Sequence, residues 1–189
     1  PVFQYGGRRG ISLGLANAGS AYASGFGTQS TIHGELAGSF GSFTAQGEYA
    51  KATLENAYGP AATPSDADVT AYYVQASYFI TGEKKVYKKD RGAFGAPKPI
   101  NDFGAVEVVA RYESSKNEDT KTAQANGCSL GGVAAGTYQS CEGTQLTFGA
   151  NWYVNPNVRF MLNYYLAEAD VGSGKDEPEA ISVRAQMSF

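Results

Sequence analysis

Seven charged residues lie in stretches where polar and apolar side chains alternate, and each falls in the polar phase. They are Arg111, Arg159, Arg184, Glu35, Glu48, Glu107 and Glu113. A guanidinium binds phosphate oxygens through two parallel hydrogen bonds, and rings of charge select ions by sign in a water-filled passage. The arginines could therefore attract anions, or they could pair with neighbouring glutamates as ordinary wall residues. Three cations against four anions form no cationic ladder, so the sequence leaves both interpretations open.

Two groups of basic residues lie outside the alternating stretches. One is a basic cluster that comprises Lys84, Lys85, Lys88, Lys89 and Arg91. At the mouth of a channel this cluster would pass anions onward, whereas on an exposed loop it would be a solvated charge run. The other group, Arg8 and Arg9, belongs to a Gly-, Ala- and Ser-rich segment, residues 1–30. Long loops of this kind are functional or disordered. If this one folds inward, the two arginines are candidate constriction residues.

The other reactive side chains suggest no catalytic or metal-binding set. His33 is the sole histidine and falls in the polar phase, which predicts an ordinary wall residue. One histidine without a paired-acid motif offers no acid–base or nucleophilic machinery, so we expect neither an enzyme nor a cofactor. Cys128 and Cys141 are the two cysteines. Without a nearby histidine they make a poor zinc site, and such a pair in an exported protein is expected to form a disulfide.

The alternation predicts about seven β-strands, each with one apolar and one polar side. The strands are expected around residues 32–40, 43–49, 72–80, 106–112, 146–154, 158–166 and 181–189, with a less regular eighth around residues 11–15. No window approaches the roughly 18 consecutive apolar residues of a membrane helix. Alternating strands of this length are typical of outer-membrane barrels. The expected fold is therefore all-β, with residues 31–189 forming part of an antiparallel transmembrane β-barrel.

The lengths of the connections predict an orientation. Those near Gly41 and Pro156 are short, whereas longer ones span about residues 56–67, 116–142 and 171–179. Bacterial barrels have short periplasmic turns and long extracellular loops. Phe189, on the short-turn side, is then expected at the periplasmic end. Residues 82–103, which contain the basic cluster, break the rule because they are long and lie on the same side.

Several segments, taken in chain order, resemble one family of porins. They are Gln-Gly-Glu-Tyr at residues 46–49, Tyr-Tyr-Val-Gln-Ala-Ser-Tyr-Phe-Ile-Thr-Gly-Glu at 72–83, Gly-Ala-Phe-Gly-Ala-Pro-Lys-Pro at 92–99, Phe-Gly-Ala-Val-Glu-Val-Val-Ala-Arg-Tyr at 103–112 and Asn-Trp-Tyr-Val-Asn-Pro-Asn-Val-Arg-Phe-Met-Leu-Asn-Tyr at 151–164. Over roughly residues 34–189 the chain resembles the C-terminal half of the phosphate- and polyphosphate-selective porin family.

The resemblance implies a homotrimer in the bacterial outer membrane, with pores lined by arginine and lysine that pass small anions such as phosphate by diffusion. Members have about sixteen strands, and a barrel of that size leaves an aqueous channel, whereas eight strands are filled by side chains. The resemblance therefore also implies missing N-terminal barrel strands as partners. In such barrels a terminal aromatic strand, here ending at Phe189, is what the insertion machinery reads.

Two other classes of protein remain open at this stage. A small structural or adhesive outer-membrane barrel without an open pore fits if the chain closes alone. A soluble lipocalin-like barrel would turn its apolar faces inward. Aromatic side chains near strand ends on the apolar faces argue against the soluble class, since membrane barrels carry such girdles. They are Tyr49, Tyr72, Tyr78, Tyr112, Trp152, Tyr164 and Phe189. The net charge of −3 is too small to suggest a nucleic-acid partner.

Overall fold

The chain forms an all-β structure, seen in a computed structural model that describes residues 29–58, 65–88, 90, 93–117, 141–170 and 175–188. Its strands are β1 (Gln29–Phe40), β2 (Phe43–Tyr58), β3 (Ser65–Phe79), β4 (Tyr87–Lys88), β5 (Ala93–Phe94), β6 (Ala105–Asn117), β7 (Cys141–Asn155), β8 (Val158–Asp170), β9 (Lys175–Asp176) and β10 (Glu179–Met187). Within these residues no helix is long and apolar enough to cross a membrane.

Seven long strands form one antiparallel sheet in the order β1-β2-β3-β6-β7-β8-β10, and β9 adds to β8. Every long strand except those at the two ends pairs with the strand before it and the strand after it, so the sheet is an up-and-down meander. The predicted all-β antiparallel fold is confirmed. The less regular eighth strand expected around residues 11–15 lies outside the described residues.

The strands are longer than the alternation predicted. The connection expected at about residues 56–67 is in part strand, because β2 continues to Tyr58 and β3 begins at Ser65. The hydrogen-bonded ladder here extends past the apolar band into polar sequence, where alternation carries no signal. The other two long connections fall close to their predicted places, and the second of them contains β9.

The two faces of the sheet differ in chemistry. One face exposes large apolar side chains along its length: Ile32, Leu36, Phe40, Val74, Val108, Phe148, Leu162, Ile181 and Val183. Aromatic side chains border this apolar face near both ends of the strands. Trp152 stacks on Phe160 with ring centroids 5.7 Å apart, and Tyr72 lies 6.1 Å from Tyr112 towards the opposite end. Apolar bands bordered by aromatic girdles are how barrel strands meet lipid.

The opposite face is polar, and the sheet curls around it. Glu35 on β1 and Gln186 on β10 line the same cavity, although these strands are the two ends of the path. We call this concave polar face the trough. A small apolar core lies where β3, β6 and β7 meet at one end of the trough, with Phe79, Ala105 and Tyr153 buried there.

The described residues between β3 and β6, which are 80–88, 90 and 93–104, include a hairpin that folds into the trough instead of staying outside the sheet. β4 and β5 pair with each other within it as a separate two-stranded sheet. Gly104 ends the hairpin at a φ of +99°, and a Cβ there would lie 2.2 Å from the carbonyl oxygen of Tyr153. Because L-residues rarely adopt such a φ and no side chain fits, this return to β6 requires glycine.

Candidate functional site: the trough

The strand register places all seven charged wall residues predicted from alternation on the trough face. Glu35 lies directly opposite Glu48, Glu48 opposite Tyr73, and Tyr73 opposite Glu113. Opposed residues in an antiparallel pair share a face, as do residues two apart on one strand. The same steps connect the remaining residues: Glu107, Arg111, Arg159 and Arg184.

Arg111 is held in the wall by contacts to three side chains. Its Nη2 lies 2.5 Å and its Nε 2.6 Å from Oε1 of Glu113, and its Nη1 lies 3.3 Å from Oε1 of Gln75. The guanidinium carbon is 3.6 Å from the ring centroid of Tyr73, a close cation–π contact. The charge of Arg111 is thus offset by a carboxylate while its flat face covers an aromatic ring.

Tyr73 connects this arginine to the acidic side of the trough. Its hydroxyl donates to Oε1 of Glu48 at 2.9 Å and accepts from the amide of Gln46 at 3.1 Å. Gln145 donates to Glu113 from the other side at 3.0 Å. The polar groups of this layer are therefore joined into one network across β2, β3, β6 and β7, which fixes the side chains on the wall.

A second network surrounds the fully buried side chain of Glu107. One carboxylate oxygen contacts the ammonium of Lys85, which comes from the hairpin. The other accepts from the hydroxyl of Tyr153 at 2.9 Å and from the amide of Asn151 at 3.2 Å. Burial of a carboxylate requires such a set of partners, since an unpaired buried charge is strongly unfavourable. Lys85 therefore fastens the hairpin to the wall.

Arg159 extends this second network across the trough towards β10. It donates to the hydroxyl oxygen of Tyr153 at 3.2 Å and to the amide oxygen of Gln186 at 2.7 Å. Among the described residues Arg159 contacts no carboxylate within ion-pair distance, so its positive charge stays available at the trough surface. Arg184 on the same side of the sheet is exposed, and no described side chain pairs with it.

The root of the hairpin is fixed by hydrogen bonds outside the long strands. Glu83 is buried, accepts from the hydroxyl of Thr81 and accepts from the backbone N–H of Ile100 at 3.0 Å. Burial raises the pKa of the Glu83 carboxyl, but these hydrogen bonds outweigh it and the net shift is downward. The indole N–H of Trp152 donates to the carbonyl oxygen of Phe103 at 2.8 Å.

The hairpin and the wall line an open cavity of about 720 Å³. Lys85, Tyr87 and Phe94 line it from the hairpin, and Glu48, Arg159 and Gln186 line it from the sheet. A second cavity of about 680 Å³ lies farther along the trough, between the two networks. A small hydrated anion fits into either space. Of the cationic side chains that line these cavities, Lys85 and Arg111 are paired with carboxylates, whereas Arg159 has no such partner among the described residues.

The basic cluster is divided by the structure. Lys84 and Lys88 are exposed, whereas Lys85 points inward and pairs with Glu107. Lys89 and Arg91 lie outside the described residues, as do Arg8, Arg9, Cys128 and Phe189. Nothing is described of the side chain of Cys141, so the disulfide stays a prediction.

Sequence reasoning missed the two tyrosines that organise the networks. Tyr73 and Tyr153 both lie in the polar phase of their strands, where a large aromatic residue is unexpected on a wetted wall. The position of these tyrosines in the polar phase could have indicated the networks, because a tyrosine on a polar face needs hydrogen-bond partners for its hydroxyl.

Comparisons with known proteins agree with this architecture. The family model for phosphate-selective porin O and P matches residues 15–189. Porin O of Pseudomonas aeruginosa is 32% identical to the chain over 162 residues, which cover 82% of the chain and 34% of that porin. The chain thus spans about a third of the length of this relative. The match over most of its residues shows that the chain belongs to the phosphate-selective porin O and P family.

Proposed function

We propose that this chain forms part of the wall of an outer-membrane porin whose channel passes small anions, phosphate among them, by passive diffusion. The observation that carries the proposal is the division of the sheet into an apolar, aromatic-bordered face and a polar trough. A sheet of this kind satisfies its backbone hydrogen bonds internally while one face meets lipid and the other meets water. Family membership implies a channel rather than an enzyme.

The complete channel requires further strands. β1 and β10 each pair with one long strand among the described residues. An open sheet edge in hydrocarbon leaves backbone groups without partners, which is strongly unfavourable. We therefore propose that additional strands of the porin pair with these edges, and that the barrel assembles as a homotrimer through part of its apolar outer face.

Anion preference in this part of the wall is proposed to come from a few exposed cations. Arg111 is neutralised by Glu113, and Lys85 by Glu107, so neither contributes a free positive charge. Arg159 and Arg184 face the trough without a carboxylate partner among the described residues. Lys84 and Lys88 are exposed on the hairpin at the periplasmic mouth, and Arg8 and Arg9 are candidates for the constriction.

Planar-bilayer recording with the purified porin tests the proposal. We expect discrete channels whose reversal potential in a KCl gradient shows preference for chloride, and whose chloride current falls when phosphate is added. Arg184→Gln is expected to reduce the preference for anions, because one exposed wall charge is removed. Lys175→Gln, at the extracellular rim beside Glu168, is the matched control and is expected to leave selectivity unchanged.

Absence of channels from correctly folded protein would favour the small structural or adhesive barrel. Channels with cation preference, or an Arg184→Gln channel with unaltered selectivity, would contradict the assignment of anion preference to this wall. The same recordings with Arg8→Gln/Arg9→Gln show whether the N-terminal segment forms a constriction, which would appear as a loss of selectivity.

A further inference from the structure

The wall between β1 and β2 carries three metal-ligating side chains, of which only Glu48 takes part in the networks described above. His33, Glu35 and Glu48 each offer one donor atom, and these atoms all lie within 4.8 Å of one another. Nε2 of His33 is 3.8 Å from Oε2 of Glu48. All three side chains are exposed on the trough face, so a cation from solution can reach them. In the described part of the chain this is the one such group of three.

The strand register forces two of these carboxylates together. Glu35 and Glu48 are directly opposed across the β1–β2 pair. Like charges in this position destabilise a sheet unless a cation lies between them. The nearby cations do not fill that role, because Arg111 pairs with Glu113 and Lys85 pairs with Glu107. Arg159, which lines the same cavity, donates instead to Tyr153 and Gln186, so the two glutamates form an acidic site on this part of the wall.

Glu48 is already oriented for binding. Its Oε1 accepts the hydroxyl hydrogen of Tyr73 at 2.9 Å, which leaves Oε2 facing His33. A hydrogen bond to the non-ligating oxygen of a carboxylate is a common way of orienting metal ligands. Tyr73 is itself held by Gln46 and by the guanidinium of Arg111. One ligand is therefore positioned from outside the group.

We propose that His33, Glu35 and Glu48 bind a divalent transition-metal cation of the Zn²⁺ class on the trough wall. One imidazole nitrogen and two carboxylate oxygens suit such ions, whereas Mg²⁺ and Ca²⁺ prefer oxygen ligands alone. Around tetrahedral zinc with bonds of about 2.0–2.2 Å, donors lie roughly 3.4 Å apart. The donor atoms that lie farthest apart must therefore move closer to each other by somewhat more than 1 Å. Rotation of the exposed side chains provides this movement. Three protein ligands leave one position for water.

The sequence had suggested an ordinary wall residue at His33, because it is the sole histidine and falls in the polar phase of its strand. Glu35 lies two residues farther along β1, and the register of β2 adds Glu48 to the group. The site lies on the wall of the proposed anion channel, where a bound divalent cation offsets the charge of the two glutamates, but binding itself requires no open pore.

Calorimetric titration of the purified porin in detergent with ZnCl₂, in phosphate-free buffer at neutral pH, tests the site. We expect one Zn²⁺ per chain, bound at least tenfold more tightly than Mg²⁺. His33→Ala and Glu35→Gln are each expected to weaken Zn²⁺ binding at least tenfold, and Tyr73→Phe is expected to weaken it less. Glu142→Gln, an exposed carboxylate on β7 away from the group, is the matched control and should bind as the unaltered protein does.

Cobalt provides a second measurement, because its visible absorption reports the ligands directly. The Co²⁺-loaded protein should show d–d bands that His33→Ala removes while far-UV circular dichroism confirms a folded sheet. The proposal is overturned if no Zn²⁺ binds at millimolar concentration, if His33→Ala binds Zn²⁺ equally well, or if Mg²⁺ competes on equal terms. Failure to form channels in a bilayer would contradict the proposed function and leave this result unaffected.

Discussion

Replacing Lys85 by methionine removes the ammonium that offsets a buried carboxylate and keeps a side chain of similar length. The side chain of Glu107 is 0% exposed and that of Lys85 is 15% exposed. Removing one partner of a buried ion pair typically lowers the free energy of unfolding by about 3–5 kcal/mol. Tyr153 and Asn151 still donate to the other carboxylate oxygen of Glu107, so we expect the lower part of this range.

Protonation limits the size of the effect and makes it depend on pH. The free energy needed to protonate an ordinary glutamate is about 3.7 kcal/mol at pH 7 and about 1 kcal/mol at pH 5. The folded variant can adopt the protonated form whenever that is less costly than a buried, unpaired charge. We therefore expect Lys85→Met to destabilise the protein by about 3 kcal/mol at pH 7 and by about 1 kcal/mol at pH 5.

Unfolding by denaturant in detergent or lipid vesicles measures this change. Trp152 is the sole tryptophan and donates its indole hydrogen to the hairpin root, so its fluorescence follows the relevant region. Lys84→Met is the matched control. Because Lys84 is exposed, this substitution should change the unfolding free energy by less than about 0.5 kcal/mol. The double variant Lys85→Met/Glu107→Gln should recover much of the lost stability, because no charge then remains buried.

A small effect of Lys85→Met at pH 7, similar to that of Lys84→Met, would refute the reasoning. The same holds for an effect that does not shrink on acidification. Either outcome would mean that the carboxylate of Glu107 is hydrated or otherwise compensated, and that the hairpin is held in the trough by something other than this ion pair.

Two further predictions concern the ends of the hairpin. Gly104→Ala places a Cβ 2.2 Å from a backbone oxygen at a φ of +99°, so we expect at least about 2 kcal/mol of destabilisation in the same assay. Gly41→Ala, also at positive φ but in open space, is expected to lose only about 1 kcal/mol, and equal losses would contradict the role of the close contact. The lowered pKa of Glu83 means that its carboxylate stabilises the fold above the unfolded-state pKa and loses this contribution as pH falls through the folded-state value. As pH is lowered from neutral, the denaturant midpoint of Glu83→Gln should therefore fall less steeply than that of the unaltered protein. An equal dependence on pH in the two proteins would exclude Glu83 as a source of acid sensitivity.

Alternation predicted the wall because the pleat of a strand has a period of two. That single regularity was enough to assign Glu35 and Arg184, on opposite ends of the sheet, to the same face, and to separate them from Leu36 and Val183. It could not give the contacts of these residues. The carboxylate partner of Arg111 is Glu113, two residues along the same strand, whereas its contacts to Tyr73 and Gln75 depend on the register between β3 and β6.

The position of the hairpin could not be predicted from local sequence. A run of lysines between two strands has the composition of a solvated loop, and nothing local distinguishes Lys85 from Lys84. The two lysines differ because Lys85 reaches the buried carboxylate of Glu107 on β6. Hydropathy does not report such a long-range contact. The ends of β2 and β3 were missed for a related reason, since the backbone ladder continues where the apolar pattern has stopped.

The hairpin enters the trough from one pair of strand ends and is fastened to the wall through side chains. In the channel proposed above, the described hairpin side chains that line the trough, Lys85, Tyr87 and Phe94, would narrow the passage without taking part in the register of any long strand. For the design of sensing nanopores, Tyr87 and Phe94 would therefore be positions at which the width of the proposed channel can be adjusted without rebuilding the sheet.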